Sequence, residues 1–71
     1  MPPVDIILAM CRHAKGDWGD VSEDDRKAND DALKHGGRLH SVYRTRKSGT
    51  TFWIITEADR SATTVLLPQD Y

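Results

Sequence analysis

The feature that most constrains the fold is a change of hydrophobic period at Gly36-Gly37. Before the two glycines, apolar residues recur at three- and four-residue intervals, which is the spacing of an amphipathic helix. After them, β-branched and aromatic residues form strand-length runs separated by turn residues. A chain of 71 residues has room for one domain with one modest core. We therefore expect a single α+β domain, residues 1–71, in which two N-terminal helices pack on a three-stranded antiparallel β-meander (ααβββ).

The first predicted helix runs from about residue 4 to residue 15. Pro3 suits its first turn, and Gly16 suits a left-handed stop after its last. The apolar residues at helical spacing are Val4, Ile7, Leu8, Cys11 and Ala14. This stripe is expected to face the core.

The second predicted helix starts after Ser22 and stops at Gly36-Gly37. Ser22 is the expected N-cap, and Asp25 stands where a capping box usually has a glutamate. The apolar stripe of this helix, with Ala28, Ala32 and Leu33, is narrow and suits close packing.

Three strands are predicted at residues 39–46, 50–57 and 62–67. A two-residue turn at Ser48-Gly49 would place Arg44 opposite Trp53 and His40 opposite Glu57. The central strand is apolar on both faces, and two helices can cover only one face of the sheet. The uncovered face is therefore expected to contact a second copy or a target protein.

Trp18 lies between Gly16 and Gly19, in the connection between the predicted helices. The favoured interpretation is that the indole folds inward and fills the junction of helices and sheet. The alternative is that the ring is displayed for a partner.

Composition limits the chemistry that the chain can perform. Its one cysteine, Cys11, excludes an intramolecular disulfide and suits a reducing, cytoplasmic setting. The apolar run at residues 6–11 is too short to cross a membrane, and the preceding Asp5 does not suit a signal peptide. No catalytic, metal-ligand or phosphate-loop motif occurs, so we expect no enzyme, metal or cofactor. His40 opposite Glu57 is the one weak candidate for acid–base chemistry.

Charge is distributed unevenly along the chain. Residues 17–31 hold seven acids and two bases (net −5), whereas residues 34–47 hold five bases and no acid (net +5). Asp24, Asp30 and Asp31 on the acidic helix could imitate phosphates for a basic partner, although pairs such as Asp30–Lys34 and Asp31–His35 are common on any exposed helix.

The basic strand supplies the second candidate surface. The residues concerned are Arg38, Arg44, Arg46, Lys47 and Trp53. Arginines beside an aromatic ring could grip a phosphate backbone and stack a base. Alternatively, Arg44 lies over Trp53 as a cation–π pair and the rest of the face is solvated, or the basic face pairs with the acidic helix of the same molecule or of a neighbour.

Several stretches resemble a family of small bacterial proteins carried on plasmids and other mobile elements. The stretches are Gly16-Asp17-Trp18-Gly19, SVYRT at 41–45, FWIITEADRS at 52–61 and TTVLLP at 63–68. Family members are labelled plasmid-related protein, or sometimes type I restriction subunit M, although a chain this short cannot hold a methyltransferase. The resemblance covers about residues 12–71 and implies a genetic setting rather than catalytic residues.

That setting favours a non-enzymatic protein that binds a host complex, such as an anti-CRISPR or anti-restriction inhibitor acting through a charged surface. The expected partner-binding residues are the acidic set Asp24, Asp30 and Asp31 and the basic set Arg38, Arg44, Arg46, Lys47 and Trp53. The alternative is a nucleic-acid-binding accessory protein that uses the basic hairpin, with affinity that falls steeply with salt.

Overall fold

The computed structural model describes residues 3–71. Two helices, α1 (Pro3–Ala14) and α2 (Glu23–His35), precede the strands β1 (Leu39–Arg44), β2 (Thr51–Thr56) and β3 (Thr63–Leu66). A 3₁₀ turn at Pro68–Asp70 follows them. The strands form one antiparallel sheet in the order β1-β2-β3. The predicted α+β, ααβββ arrangement is confirmed.

The cap of α2 is formed as the sequence predicts. The Asp25 backbone N–H donates to Ser22 Oγ at 3.1 Å, and the helix ends where Gly36 takes a φ of 85°. Both ends of α2 are thus fixed by neighbouring residues in the sequence.

The predicted hairpin register is wrong by two residues. Tyr43 lies opposite Phe52, and Val42 lies opposite Trp53. The cause is a longer turn, because the backbone N–H of Thr45 donates to the Thr50 carbonyl at 2.9 Å and encloses residues 46–49. The Thr45 hydroxyl accepts from the Thr50 N–H at 3.0 Å and stabilises this loop. Since the slip is an even number of residues, each side chain stays on its predicted face.

The predicted inward face of α1 is also wrong. The buried residues of the helix are Asp5, Ala9 and His13, nearly opposite the apolar stripe that contains Val4 and Leu8. Ala9 packs with the buried Tyr43, Phe52 and Ile54 of the sheet. The helix therefore approaches the sheet with its small and polar residues rather than its large apolar ones.

Neither face of the sheet is left open, so the expected homodimer contact through an uncovered sheet face loses its basis. Phe52 and Ile54 on one face are fully buried, and Ile55 on the other is 3% exposed. The helix α1 lies over the first face. On the second, the ring of Tyr71 meets Trp53 edge-on, with ring centroids 5.5 Å apart.

The outer edge of β1 is covered by the chain itself. Gly19 forms a parallel bridge with Val42. The Val42 N–H donates to the Trp18 carbonyl at 3.0 Å, and the Val42 carbonyl accepts from the Asp20 N–H at 2.7 Å. The Asn29 side chain of α2 satisfies both the N–H and the carbonyl of His40. These contacts remove an edge that would otherwise pair with another chain.

Trp18 is buried, which confirms the interpretation that it fills the core. Its side chain is 3% exposed, and its indole N–H donates to Asp30 Oδ1 at 2.9 Å. The ring also meets His13 edge-on. The connection between the two helices, residues 15–22, which we call the elbow, therefore joins α1, α2 and the sheet edge.

The turn between β2 and β3 is closed by its own hydrogen bonds. Asp59 Oδ1 accepts from the Ser61 N–H at 3.0 Å, and Arg60 adopts a φ of 63°. The Arg60 guanidinium does not pair with Asp59 but donates to the carbonyls of Gly37 and Ala32. It thereby ties the turn to the C-terminal end of α2, where positive charge is favourable.

Candidate protein-binding surface

The outer apolar face of α1 is the most unusual surface of the molecule. It consists of Val4, Ile7, Leu8 and Met10, which are 47%, 62%, 47% and 43% exposed. The spacing that marks an amphipathic helix is present, but the apolar side points to solvent. Exposed apolar residues grouped on one helix face are a candidate interaction site, whereas single exposed apolar residues are normal.

The polar contacts on the inner side of α1 explain why the helix is oriented this way. His13 is buried, with its Nδ1 2.5 Å from Ser41 Oγ and its Nε2 2.9 Å from Thr56 Oγ1. The Thr56 hydroxyl is a further 2.9 Å from that of Thr63. Both ring nitrogens are therefore satisfied in a place where an unpaired polar group would be costly.

Burial also sets the protonation of His13. It lowers the pKa of this histidine below the ordinary value, with a smaller contribution from His40. The neutral imidazole suits a site whose two partners are hydroxyl groups. Although His13 and Ser41 form a close pair, Ser41 is fully buried, and we assign the pair a structural role.

Asp5 fixes the other end of α1 to the hairpin. Its buried carboxylate accepts from Arg46 Nε at 2.7 Å, whereas the Arg46 side chain is mostly exposed. An ion pair with one buried member is costly to break, because the remaining charge loses its partner. Asp5 and His13 together hold the polar side of the helix on the sheet.

A groove lies between α1 and the hairpin, beside the outer apolar face. Its volume is about 340 Å³, and its apolar lining comes from Leu8, Ala9, Cys11, Tyr43 and Phe52. Four cations line it as well, and we call it the basic groove. These are Arg12, Lys15, Arg44 and Arg46. A second hollow of about 380 Å³, lined by Val4, Asp5, Arg46 and Lys47, adjoins it across the Asp5–Arg46 pair.

The cations of the basic groove differ in how far they are neutralised. Arg12 donates to both carboxylate oxygens of Asp17 and holds the pKa of that carboxyl below its usual value. Arg44 Nε lies 3.2 Å from Asp20. Within residues 3–71, Lys15 and Lys47 make no ion pair.

Of the basic residues proposed from the sequence, Arg44 and Arg46 line the basic groove and Lys47 lines the second hollow, whereas Arg38 lines neither. Arg46 turns toward Asp5, Arg44 toward Asp20, and Arg38 toward Glu57 at 3.7 Å. These acids lie outside α2, so the basic strand is not paired with the acidic helix.

Trp53 takes no part in a basic cluster. Its ring packs edge-on with His40 at 4.6 Å and with Tyr71. Within residues 3–71, the cation–π pairs are Arg12 over Tyr43 and Arg38 over Tyr71. The pair considered from the sequence, Arg44 over Trp53, is not formed within these residues.

The acidic residues proposed from the sequence have unequal surroundings. Asp24 is exposed, Asp30 accepts the Trp18 indole N–H, and Asp31 Oδ1 lies 3.9 Å from His35 Nδ1. Asp30 therefore contributes to the elbow, and its substitution would disturb the fold as well as any contact.

His40 and Glu57 do not form the pair considered from the sequence. The register places His40 opposite Ile55, and Glu57 turns to Arg38. The buried Nε2 of His40 has no hydrogen-bond partner within residues 3–71, and burial lowers the pKa of this histidine.

Two further classes of feature are absent from the described part of the chain. Residues 3–71 contain no group of three His, Cys, Asp or Glu side chains that could hold a metal ion. No helix between Pro3 and Tyr71 is long and apolar enough to cross a membrane.

Sequence reasoning missed the groove because its parts are distant in the chain. Nothing local showed that Arg44 and Arg46 would lie beside Arg12 and Lys15. The one available signal was the cations at the end of the first helix, for which the helix dipole was a sufficient explanation. Comparisons with protein-family models, curated proteins and solved structures gave no match to this chain.

Proposed function

We propose that the chain is a non-enzymatic binding protein of mobile-element origin that occupies a surface of a larger protein complex. The target class is a bacterial defence system, of the anti-CRISPR or anti-restriction type, in a cytoplasmic setting. The contact runs through the outer apolar face of α1, flanked by the cations of the basic groove.

The exposure of that face carries the proposal. Fully burying a Val, Leu, Ile or Met side chain is worth roughly 1.5–3 kcal/mol. Four such side chains remain about half exposed on one helix, so a partner that covers them gains several kcal/mol. The arrangement suits the mode in which an amphipathic helix lies in a groove of its partner, with anchors at positions i, i+3 and i+4.

The target class rests on the sequence resemblance to plasmid-carried proteins, not on a site geometry. Small proteins of mobile elements commonly act by blocking host machinery, and a helix with an apolar outer face is a compact means of doing so.

Nucleic-acid binding by the hairpin remains the second candidate. Its support is that Lys47 and Lys15 carry charges that no acid pairs within residues 3–71. Because Arg38, Arg44 and Arg46 each have an acidic neighbour, the cations available for phosphates are fewer than the sequence suggests.

The test measures protection of an incoming plasmid in bacteria that carry a restriction or CRISPR system. Expression of the chain should raise transformation by a target plasmid, and Ile7→Glu should abolish the rise because it places a charge at the most exposed position of the α1 face. Leu33→Glu is the matched control, since Leu33 is 54% exposed on the other helix.

A capture experiment identifies the target in the same cells. Subunits of one defence complex should copurify with the wild-type and Leu33→Glu chains, but not with Ile7→Glu, and nuclease should not release them. Capture that disappears with nuclease and is insensitive to Ile7→Glu would support the nucleic-acid alternative. Equal protection by both variants would contradict the role of the α1 face.

A further inference from the structure

We propose that the basic groove binds an acidic, partly apolar peptide segment of the partner protein. This inference rests on the proposed function, because it names the chemistry of the segment that lies beside the α1 contact. The carboxylates of the segment would contact the cations of the basic groove, and the apolar side chains of the segment would lie against α1.

The charge of the groove supports an acidic occupant. Its lining contains four basic side chains and one acidic side chain, Asp5, which is already bound to Arg46. Cations concentrated on a concave surface attract an oppositely charged segment and set its orientation.

The arginines retain capacity for carboxylates despite their internal pairs. A guanidinium has five N–H donors, and Arg46 uses Nε alone in its bond with Asp5. Its terminal nitrogens can donate to both oxygens of a carboxylate, which is a stronger contact than a single hydrogen bond. Lys15 adds a charge with no ion-pair partner within the described residues.

The apolar lining favours a peptide over nucleic acid. Leu8 is half exposed at the wall and belongs both to the groove and to the outer apolar face of α1. A phosphate backbone gains nothing from such a wall, whereas a leucine or phenylalanine side chain of a peptide does. The second hollow contains Val4 and Lys47, so the same alternation of apolar and basic groups continues past the Asp5–Arg46 pair.

The experiment selects peptides from a displayed library of short random sequences against the folded chain, residues 1–71. The enriched peptides should combine aspartate or glutamate with large apolar residues. Their affinity, measured by fluorescence anisotropy, should fall by about tenfold or more in the Lys15→Glu/Lys47→Glu variant. This variant reverses one charge of the basic groove and one of the adjoining second hollow without breaking an ion pair within residues 3–71. The Lys27→Glu/Lys34→Glu variant makes the same charge change on α2 and should bind as the wild type does.

A second pair of variants tests the apolar wall. Leu8→Ser should weaken the selected peptides severalfold, whereas Leu33→Ser, at a similarly exposed position on α2, should not. Affinity should also fall as salt is raised, because exposed charge pairs are screened.

Three results would overturn the proposal. They are a library with no enrichment, enriched peptides that lack acidic residues, and peptides whose affinity is the same for both lysine double variants. An oligothymidine probe that binds where no acidic peptide is enriched would also overturn it in favour of phosphate recognition. None of these four outcomes alters the plasmid test with Ile7→Glu, since Ile7 does not line the groove. The proposed function and the groove inference can therefore fail separately.

Discussion

Replacing Gly19 by alanine should test the elbow that connects α1, Trp18 and the sheet edge. Gly19 has a φ of 75°, and a Cβ built there would lie 2.0 Å from the Val42 carbonyl oxygen and 2.8 Å from the Tyr43 ring. The obstacle at Val42 is backbone, so β1 and the elbow must separate. The bridge would then lose its two hydrogen bonds, from the Val42 N–H to Trp18 O and from the Asp20 N–H to Val42 O.

The expected cost follows from these contacts. The left-handed backbone disfavours alanine by about 1–2 kcal/mol. Two lost hydrogen bonds add about 1–3 kcal/mol, which gives a total of about 2–5 kcal/mol. A domain of 71 residues has a free energy of unfolding of only about 4–11 kcal/mol. Gly19→Ala should therefore lose a large part of its stability.

Gly49→Ala is the control for the positive φ. Gly49 has a φ of 67°, and a Cβ there would have no atom within 4 Å. Its cost should be the conformational part alone, about 1–2 kcal/mol. Urea unfolding of both variants, followed by far-UV circular dichroism and by tryptophan fluorescence, measures the difference. Equal loss of stability in the two variants would refute the inference that Gly19 is required by the close approach of β1.

The remaining predictions concern His13 and Arg60. Because burial lowers the folded-state pKa of His13 and of His40, the unfolded chain binds more protons below its histidine pKa of about 6.5. The contribution of these two histidines to the free energy of unfolding should thus be complete above that pH, and it should decrease as the pH drops toward the folded-state pKa values. His13→Gln should reduce this pH dependence and lower the free energy of unfolding by about 1–3 kcal/mol at neutral pH. Unfolding titrations from neutral to mildly acidic pH measure how the free energy of unfolding changes with pH. The same change with pH in the variant and the wild type would show that His13 is not responsible. Arg60→Ala should be less stable than Arg60→Gly by about 1 kcal/mol, since alanine keeps the disfavoured φ of 63° while both lose the bonds to α2; equal thermal midpoints would contradict this.

The apolar face of α1 is exposed to solvent, contrary to what its helical spacing predicts. A helix with Val4, Ile7 and Leu8 at helical spacing ordinarily buries them against its own sheet. Here the sheet offers hydroxyls of Ser41 and Thr56 to the helix, and these suit His13 better than leucine. The apolar side is therefore exposed to solvent, and this exposure is the basis of the proposed function.

Local sequence was sufficient for the elements and for several of their ends. Ser22 caps α2 and Gly36 ends it through contacts within a few residues, and the change of period at Gly36-Gly37 is enough to place helices before strands. The burial of Trp18 also follows from its position between two glycines in a short connection. The alternation of side chains along β1 and β2 gave the correct faces, because the register error was even.

Tertiary structure decided the features that depend on distant residues. The orientation of α1 follows from the bond between Asp5 and Arg46 and from that between His13 and Thr56, which are separated by 41 and 43 positions. The hairpin register depends on the Thr45 hydroxyl closing a longer loop, a choice that Ser48-Gly49 alone does not reveal. The basic groove requires both, since it exists only where α1 and the hairpin meet. Hydrophobic periodicity identifies the apolar face of a helix. Whether that face meets the chain's own sheet or solvent depends on the polar face of the same helix, because its buried polar groups need hydrogen-bonding partners on the sheet.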